Sequence, residues 1–157
     1  MHVDIDGATR IARTAAEFDW TWYVEDIERF CSTLGWEVAS RGEYGAEIHT
    51  NLPISHPAAD VYWQKRTVNY ISTRISDMPV ESNEQRRALL AGFAELPEAL
   101  IEVLGAPTGM LTDEQAVIRW DLPKVVLFIR LSDHAVSLKL VSPEYQAWKD
   151  EPKFDEE

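Results

Sequence analysis

Three fragments of the chain hold residue types that could do chemistry. Ser132-Asp133-His134 carries the side chains of a hydrolase triad. In such a triad the histidine bridges serine and carboxylate through opposite ring nitrogens. Three consecutive residues point apart, so this fragment reads as a turn. His49, His56 and Asp60 form a donor set that a divalent ion would accept. Their spacing follows no recurring metal loop, and histidines beside Pro53 and Pro57 read as surface groups. Cys31 is the single cysteine. A reactive thiol needs an electropositive, partly exposed setting. Cys31 instead falls on the apolar stripe of an acidic segment, which predicts a buried, inert thiol. The acid pairs Glu25/Asp26, Asp150/Glu151 and Glu156/Glu157 are sequence neighbours. Glycosidase-type work needs two carboxylates held apart across a cleft, so these pairs read as solvated faces. Phosphate-binding, dinucleotide, zinc-protease, nucleophile-elbow and C-x-x-C motifs are absent from the sequence. No catalytic, cofactor-binding or metal residue is therefore assigned, and a non-enzyme is expected.

The aromatic residues offer a different chemistry. The chain has 6 Trp and 5 Tyr, types enriched at protein–protein hot spots. Trp36, Trp120 and Tyr70 sit where the pattern points inward, whereas Trp20, Trp22, Tyr44 and Tyr62 join no apolar stripe. Glu43, Tyr44, Glu47, His49, Asn51, Asp60 and Tyr62 fall on neighbouring strands and turns of one β block. By alternation Glu47, His49 and Asn51 share the face opposite Ile48 and Leu52. These seven residues form the candidate partner-binding surface, an acidic and aromatic dock for a basic protein.

The elements that must position them follow from periodicity. Gly7–Glu17 reads as a helix with Ile11, Ala12, Ala15 and Ala16 on one side. A second helix is capped by Thr21, carries Val24, Ile27, Phe30, Cys31 and Leu34 at helical spacing, and stops at Gly35. Strands are predicted at Trp36–Ser40, Ala46–Leu52, Val61–Gln64 and Val68–Ser76, with a loop through Pro53 and Pro57. Ser82 and Gln85 make a capping box for a long helix with Leu89, Phe93, Leu96, Leu100 and Leu104 along its stripe. Pro97 predicts a kink or two abutting helices there. Strands Ala116–Asp121, Val125–Leu131 and Ala135–Val141 then form an antiparallel meander, with Val125–Ile129 central. Pro143 opens a short last helix. The expected fold is α+β: an antiparallel sheet of about six strands, helices mainly on one face, in the order α-α-β-β-β-β-α-β-β-β-α.

A chain of 157 residues suits one domain over 1–150, with a charged, flexible tail at 151–157. Fifteen basic against 27 acidic residues give a net charge of −12. That balance disfavours phosphate tracking on nucleic acid and attraction to anionic membranes. It favours a basic protein partner, because complementary fields speed encounter. The sequence shows no apolar run of membrane-spanning length and no secretory signal at its start, so a cytoplasmic protein is expected. A monomer is favoured over a homodimer.

Taken together, DWTWYVEDIERFCSTLGWE, LIEVLGAPTG and AVIRWDLPKVVLFIRLSDHAVSLKLVSPEYQAW resemble a group of small acidic bacterial proteins. That group includes immunity proteins of polymorphic-toxin and specialised-secretion systems. The resemblance covers about residues 18–148 and rests on structural punctuation, so no site residue is carried over. It implies a non-catalytic antitoxin that binds and blocks a cognate toxin domain. The layout is also similar to secretion-chaperone-like α+β domains, which implies effector holding before export. A small-ligand-binding domain or enzyme with a pocket between sheet and helices is the third expectation.

Overall fold

The computed structural model describes residues 1–112 and 116–152. Its elements are α1 (Ile5–Glu17), α2 (Glu25–Leu34), β1 (Glu37–Arg41), β2 (Gly45–His49), β3 (Ala58–Gln64), β4 (Thr67–Arg74), α3 (Asn83–Leu104), β5 (Gly109–Thr112), β6 (Ala116–Asp121), β7 (Val126–Leu131), β8 (Val136–Val141) and α4 (Pro143–Asp150). The fold is α+β, with eight strands in place of about six. The strand order is β1-β2-β3-β4-β8-β7-β6-β5, and every neighbouring pair is antiparallel. Two four-stranded meanders thus meet at β4 and β8, and α3 carries the chain between them. β7 is interior, but the centre belongs to β4 and β8, where Tyr70 opposes Val141 and Ser72 opposes Lys139. The unanticipated strand β5 contains a glycine and follows the helix-stop residues Gly105 and Pro107, so its sequence carries no strand pattern. The tail from residue 153 onward lies outside the described residues.

Local chemistry explains most helix ends. The Asp4 side chain caps α1 by accepting from the Gly7 amide at 3.0 Å. Gly35 ends α2 at φ 73°, and the Trp36 amide then reaches back to the Cys31 carbonyl at 2.8 Å. Ser82 caps α3 by accepting from the Gln85 amide, while Gln85 Oε1 accepts from the Glu81 amide at 2.7 Å. Pro97 lies within a single uninterrupted α3 rather than dividing it. The start of α2 departs from expectation. Its N-cap is Val24, which supplies no side-chain bond. Asp26, read as part of a solvated acid pair, is 1% exposed. Its carboxylate accepts from the Thr21 amide and hydroxyl, the Trp22 amide and the Arg29 guanidinium, at 2.7–2.8 Å. Thr21 is a donor to Asp26 rather than the cap, because the carboxylate folds back over the loop that precedes its own helix. That grip holds Trp22 at φ 63°, a region unfavourable for a bulky side chain.

The helices divide the sheet into two unlike faces. Residues of α1, α2 and α3, among them Ile11, Phe30, Leu89 and Leu96, form one core with Ile48, Val61, Ile71, Leu138, Leu127 and Ile118 from successive strands. Trp36 and Trp120 are buried as the pattern indicated. Trp20 stacks on Trp22 with ring centres 4.2 Å apart, and Trp22 Nε1 donates to the Lys124 carbonyl. These aromatics serve packing at the sheet end. The opposite face meets only α4 among the described helices. Tyr70 belongs to this second face, contrary to the inward reading. A bulge opposite Tyr62 and Trp63 inserts one residue, Asn69, so Val68 and Ile71 both point to the core and Tyr70 is turned outward.

Candidate functional site: the open face of the sheet

Antiparallel partners lie on the same face, so the register dictates what the open face presents. One row runs Ser40, Glu47, Asp60, Ser72, Lys139, Phe128, Arg119 across seven strands. The row changes sign along its length. Glu47 and Asp60 on β2 and β3 are exposed and directly opposed. Neither makes an ion pair among the described residues. His49 lies one pleat further along β2, and Tyr62 lies one pleat along β3, stacked on Tyr70 at 5.7 Å.

The other end of the row is basic. Arg74, Arg119, Arg130 and Lys139 stand on β4, β6, β7 and β8, and Lys149 joins them from α4. The helix is fastened by Arg119. Its Nη1 and Nη2 meet both Asp150 oxygens at 3.1 and 2.7 Å, and its Nε donates to Asp121 at 2.8 Å. These bonds raise the guanidinium's proton affinity and hold the Asp150 carboxyl below the ordinary aspartate range. Gln146 completes the clamp by donating to Asp150 at 2.9 Å. With α4 fixed, a groove of about 450 Å³ opens between it and the sheet. Its lining includes Tyr70, Ser72, Phe128, Arg130, Lys139 and Lys149, with Asp60 at its acid end. Lys139 Nζ sits 4.0 Å from the centre of the Tyr70 ring. Burial, then the charges of Lys149 and Arg130, lower its proton affinity below that of an ordinary lysine. Burial is also the main reason the Tyr70 phenol is held above its usual range, with Tyr145, Tyr62 and Asp60 adding to it.

The model of a family of unknown function, DUF6301, matches residues 6–142, from α1 to the end of β8. The chain belongs to DUF6301. No curated protein matches it. Among solved structures, the crystal structure of a DUF4309 family protein, YjgB, from Bacillus subtilis is similar at 15% identity. That likeness covers 88% of this chain and 97% of the other, with a TM-score of 0.49. The matched DUF6301 segment holds the whole sheet and the three helices of its covered face, while α4 follows it.

In this DUF6301 chain the seven candidate partner residues do not stay together. Glu47, His49, Asp60 and Tyr62 share the open face. Asn51 does not, because β2 ends at His49 and the alternation stops with it. Its amide donates to the Leu34 carbonyl at 2.9 Å and accepts from the Trp36 indole at 3.2 Å, so it ties the end of α2 to the sheet. Glu43 and Tyr44 lie in the β1–β2 turn. The Glu43 carbonyl accepts from the Trp63 indole, and Tyr44 borders a separate hollow with Gln64, Lys65, Thr67 and Asn69. Ser132, Asp133 and His134 form a turn in which Ser132 Oγ accepts from the Ala135 and His134 amides, an arrangement with no triad geometry. His56 bonds to Ser55, and among the described residues no group of three potential ligands could hold a metal ion. Cys31 is buried in the core, where desolvation pushes its thiol up to about 11.

Alternation placed Glu47 and His49 on one face of their strand, but the basic groove under α4 was not legible in the same way. Ser137 and Lys139 read as the wet side of a strand, but nothing local placed them beside Ser72 or under α4. The usable signal was a lysine and an arginine on the polar sides of two strands joined by the short Ser132–His134 turn.

Proposed function

We propose that this protein is a non-catalytic binding protein of the immunity type, which docks the acidic half of its open face onto a basic surface of a cognate toxin domain. The observation that carries the reading is the Glu47–Asp60 pair. Like charges directly opposed across strands destabilise a sheet, and this pair has no neutralising neighbour among the described residues. A cationic partner would relieve that cost on docking, and the net charge of −12 would steer the encounter. Tyr62 and Tyr70 supply flat, amphipathic contact beside the acids. The uncovered sheet gives the partner a broad platform, and the small acidic chain is consistent with an inhibitor that acts by occupying a surface.

The test uses the double variant Glu47→Lys/Asp60→Lys beside wild type. Both serve as bait in host lysate at low and moderate salt, and any partner recovered by wild type in equal amount is purified. Wild type is expected to abolish that partner's toxicity at one molecule per molecule. The double variant is expected to associate about tenfold more slowly and to lose the salt dependence of the on-rate. A partner without toxicity overturns the immunity reading, and equal on-rates for the two baits remove the acidic half from it.

A further inference from the structure

We propose that the hollow at the β3–β4 hairpin end of the sheet, lined by Tyr44, Gln64, Lys65, Thr67 and Asn69, is a binding site for a small aromatic carboxylate. Asn69 and Lys65 hold the carboxylate, and the Tyr44 ring takes the aromatic body. The inference uses neither the groove under α4 nor the Glu47–Asp60 pair, so it does not depend on the partner reading above.

The Asn69 side chain carries the argument. Asn69 is the residue that the β4 bulge inserts, between Val68 in the core and Tyr70 on the open face. It is 6% exposed, yet it lines the hollow. Its backbone is tied in, the carbonyl accepting from the Ser142 amide at 3.0 Å. Its Nδ2 is buried and has no hydrogen-bond partner among the described residues. Asn51 shows the contrasting arrangement, with its amide nitrogen donating to Leu34 and its amide oxygen accepting from Trp36. A buried donor left unused carries its desolvation penalty uncompensated. The Asn69 amide can turn about its terminal bond to present that donor to the hollow, and Nδ2 gives up no partner in doing so. An acceptor in the hollow would satisfy it.

The charge of the hollow selects the acceptor. Lys65 is the one charged residue of this lining, in a chain of net charge −12. Lys65 and Arg66 make the two-residue turn between β3 and β4, both left-handed at φ 48° and 70°, where asparagine and glycine are usual. The two cations are held differently. The Arg66 guanidinium pairs with Glu25, and its carbonyl accepts from the Val24 amide at 3.0 Å. Lys65 is exposed and makes no ion pair among the described residues. An amide donor and an ammonium on one hollow match a carboxylate, which accepts through both oxygens. A cationic ligand would meet Lys65 and leave Asn69 Nδ2 unsatisfied.

Tyr44 suits the rest of such a ligand. Its ring is 58% exposed and packs on no other aromatic ring among the described residues. The turn that bears it is pinned, because the Tyr44 carbonyl accepts from the Trp63 amide at 2.9 Å and the Glu43 carbonyl from the Trp63 indole at 3.0 Å. The ring therefore stands on fixed backbone as a flat apolar surface beside the two donors. Gln64 is held by donating to the Tyr62 hydroxyl at 3.3 Å. A volume of about 480 Å³ is that of a small-molecule site.

The test is a heteronuclear NMR titration of the full chain with phenylacetate, phenylacetamide and acetate. The Asn69 side-chain amide signals, identified by their loss in Asn69→Leu, are expected to shift saturably with phenylacetate. Phenylacetate is expected to bind about tenfold tighter than either phenylacetamide or acetate. Asn69→Leu and Lys65→Gln are each expected to weaken it about tenfold. Arg87→Gln, on α3, is expected to leave it unchanged. Lys65 lies in an exposed turn, so its variant keeps the test valid if Asn69→Leu fails to fold. Absence of saturable shifts at millimolar phenylacetate overturns the proposal, as does equal weakening by Arg87→Gln. Phenylacetamide binding as tightly as phenylacetate overturns the carboxylate assignment, and acetate doing so overturns the aromatic half. Phenylacetate binding that leaves the Asn69 amide signals unmoved removes Asn69 from the site and refutes the inference.

Discussion

The two faces of the sheet are built from alternate residues of the same strands, yet they obey different rules. On β8, Leu138 and Leu140 point into the core under the helices, while Ser137 and Lys139, which alternate with them, face the groove. On β3, Val61 and Trp63 are buried, while Asp60 and Tyr62 look outward. On the covered side the buried Asp26 carboxylate is held by four hydrogen bonds. The open face keeps like charges adjacent, with Glu47 directly opposite Asp60 and no ion pair to either among the described residues. Stability explains the first face. It does not explain the second, and that contrast is the argument for binding.

The sharpest way to break the comparison is a pair of neighbouring substitutions on β8. Leu138→Ala removes a fully buried side chain and is expected to cost about 3 kcal/mol in urea unfolding. Lys139→Met, one residue on, is expected to change stability by about 0.5 kcal/mol or less. A loss at Lys139 equal to that at Leu138 would make the open face a structural element and remove the case for a site.

Asp26→Ala addresses the covered side's tolerance of charge. It strands the Thr21 and Trp22 amides and leaves Arg29 without its carboxylate. The expected cost is about 3 kcal/mol, because removing one partner of a buried charged network exposes the full desolvation penalty of the others. It should also release the Trp22 backbone from its left-handed conformation, visible as a change in near-ultraviolet circular dichroism. A cost below about 1 kcal/mol would mean the loop holds itself.

How far these rules were legible in the sequence depended on their range. Strands on the second meander were readable because Val136, Leu138 and Leu140 alternate with polar residues over a short, regular run. The capping of α3 by Ser82 was readable because Gln85 is three residues away. Tyr70 was misplaced because one bulged residue inverts the alternation, and a bulge has no signature in side-chain type there. Asn51 was misplaced because alternation was carried past the end of β2. Asp26 was misread because its partners precede the helix it belongs to. The groove was out of reach altogether. Its floor needs β4 beside β8, a pairing between Ser72 and Lys139 that no local pattern encodes, and its wall needs Arg119 to find Asp150.

A pH titration tests the covered side more gently. Burial, reinforced by Glu28 and opposed by Arg41, holds the Cys31 thiol up at about 11 against an ordinary value of 9.0. Between those values the unfolded chain ionises this thiol while the folded one keeps its proton. The folded state then binds more protons, so stability falls as pH rises through that window, by at most about 1.4 kcal/mol per pH unit. Below the window the contribution is fully present. Cys31→Ala should remove this part of the slope. An unchanged slope in the variant would show that Cys31 is not the group responsible.

The smallest effect is the most informative about function. Glu47→Lys replaces a like-charge cross-strand pair with an opposite-charge one opposite Asp60. Both positions are exposed, so the gain is modest, about 0.5 kcal/mol at low salt and less as salt screens it. The sign matters more than the size. A stabilising substitution at a position that touches no core residue means that the natural acid is held there against the interest of the fold. Urea unfolding of Glu47→Lys beside Glu47→Gln separates new attraction from lost repulsion, since glutamine removes only the latter. If both variants are less stable than wild type, the acid pair is a structural feature of the sheet, and the acidic half of the open face loses its claim to a partner.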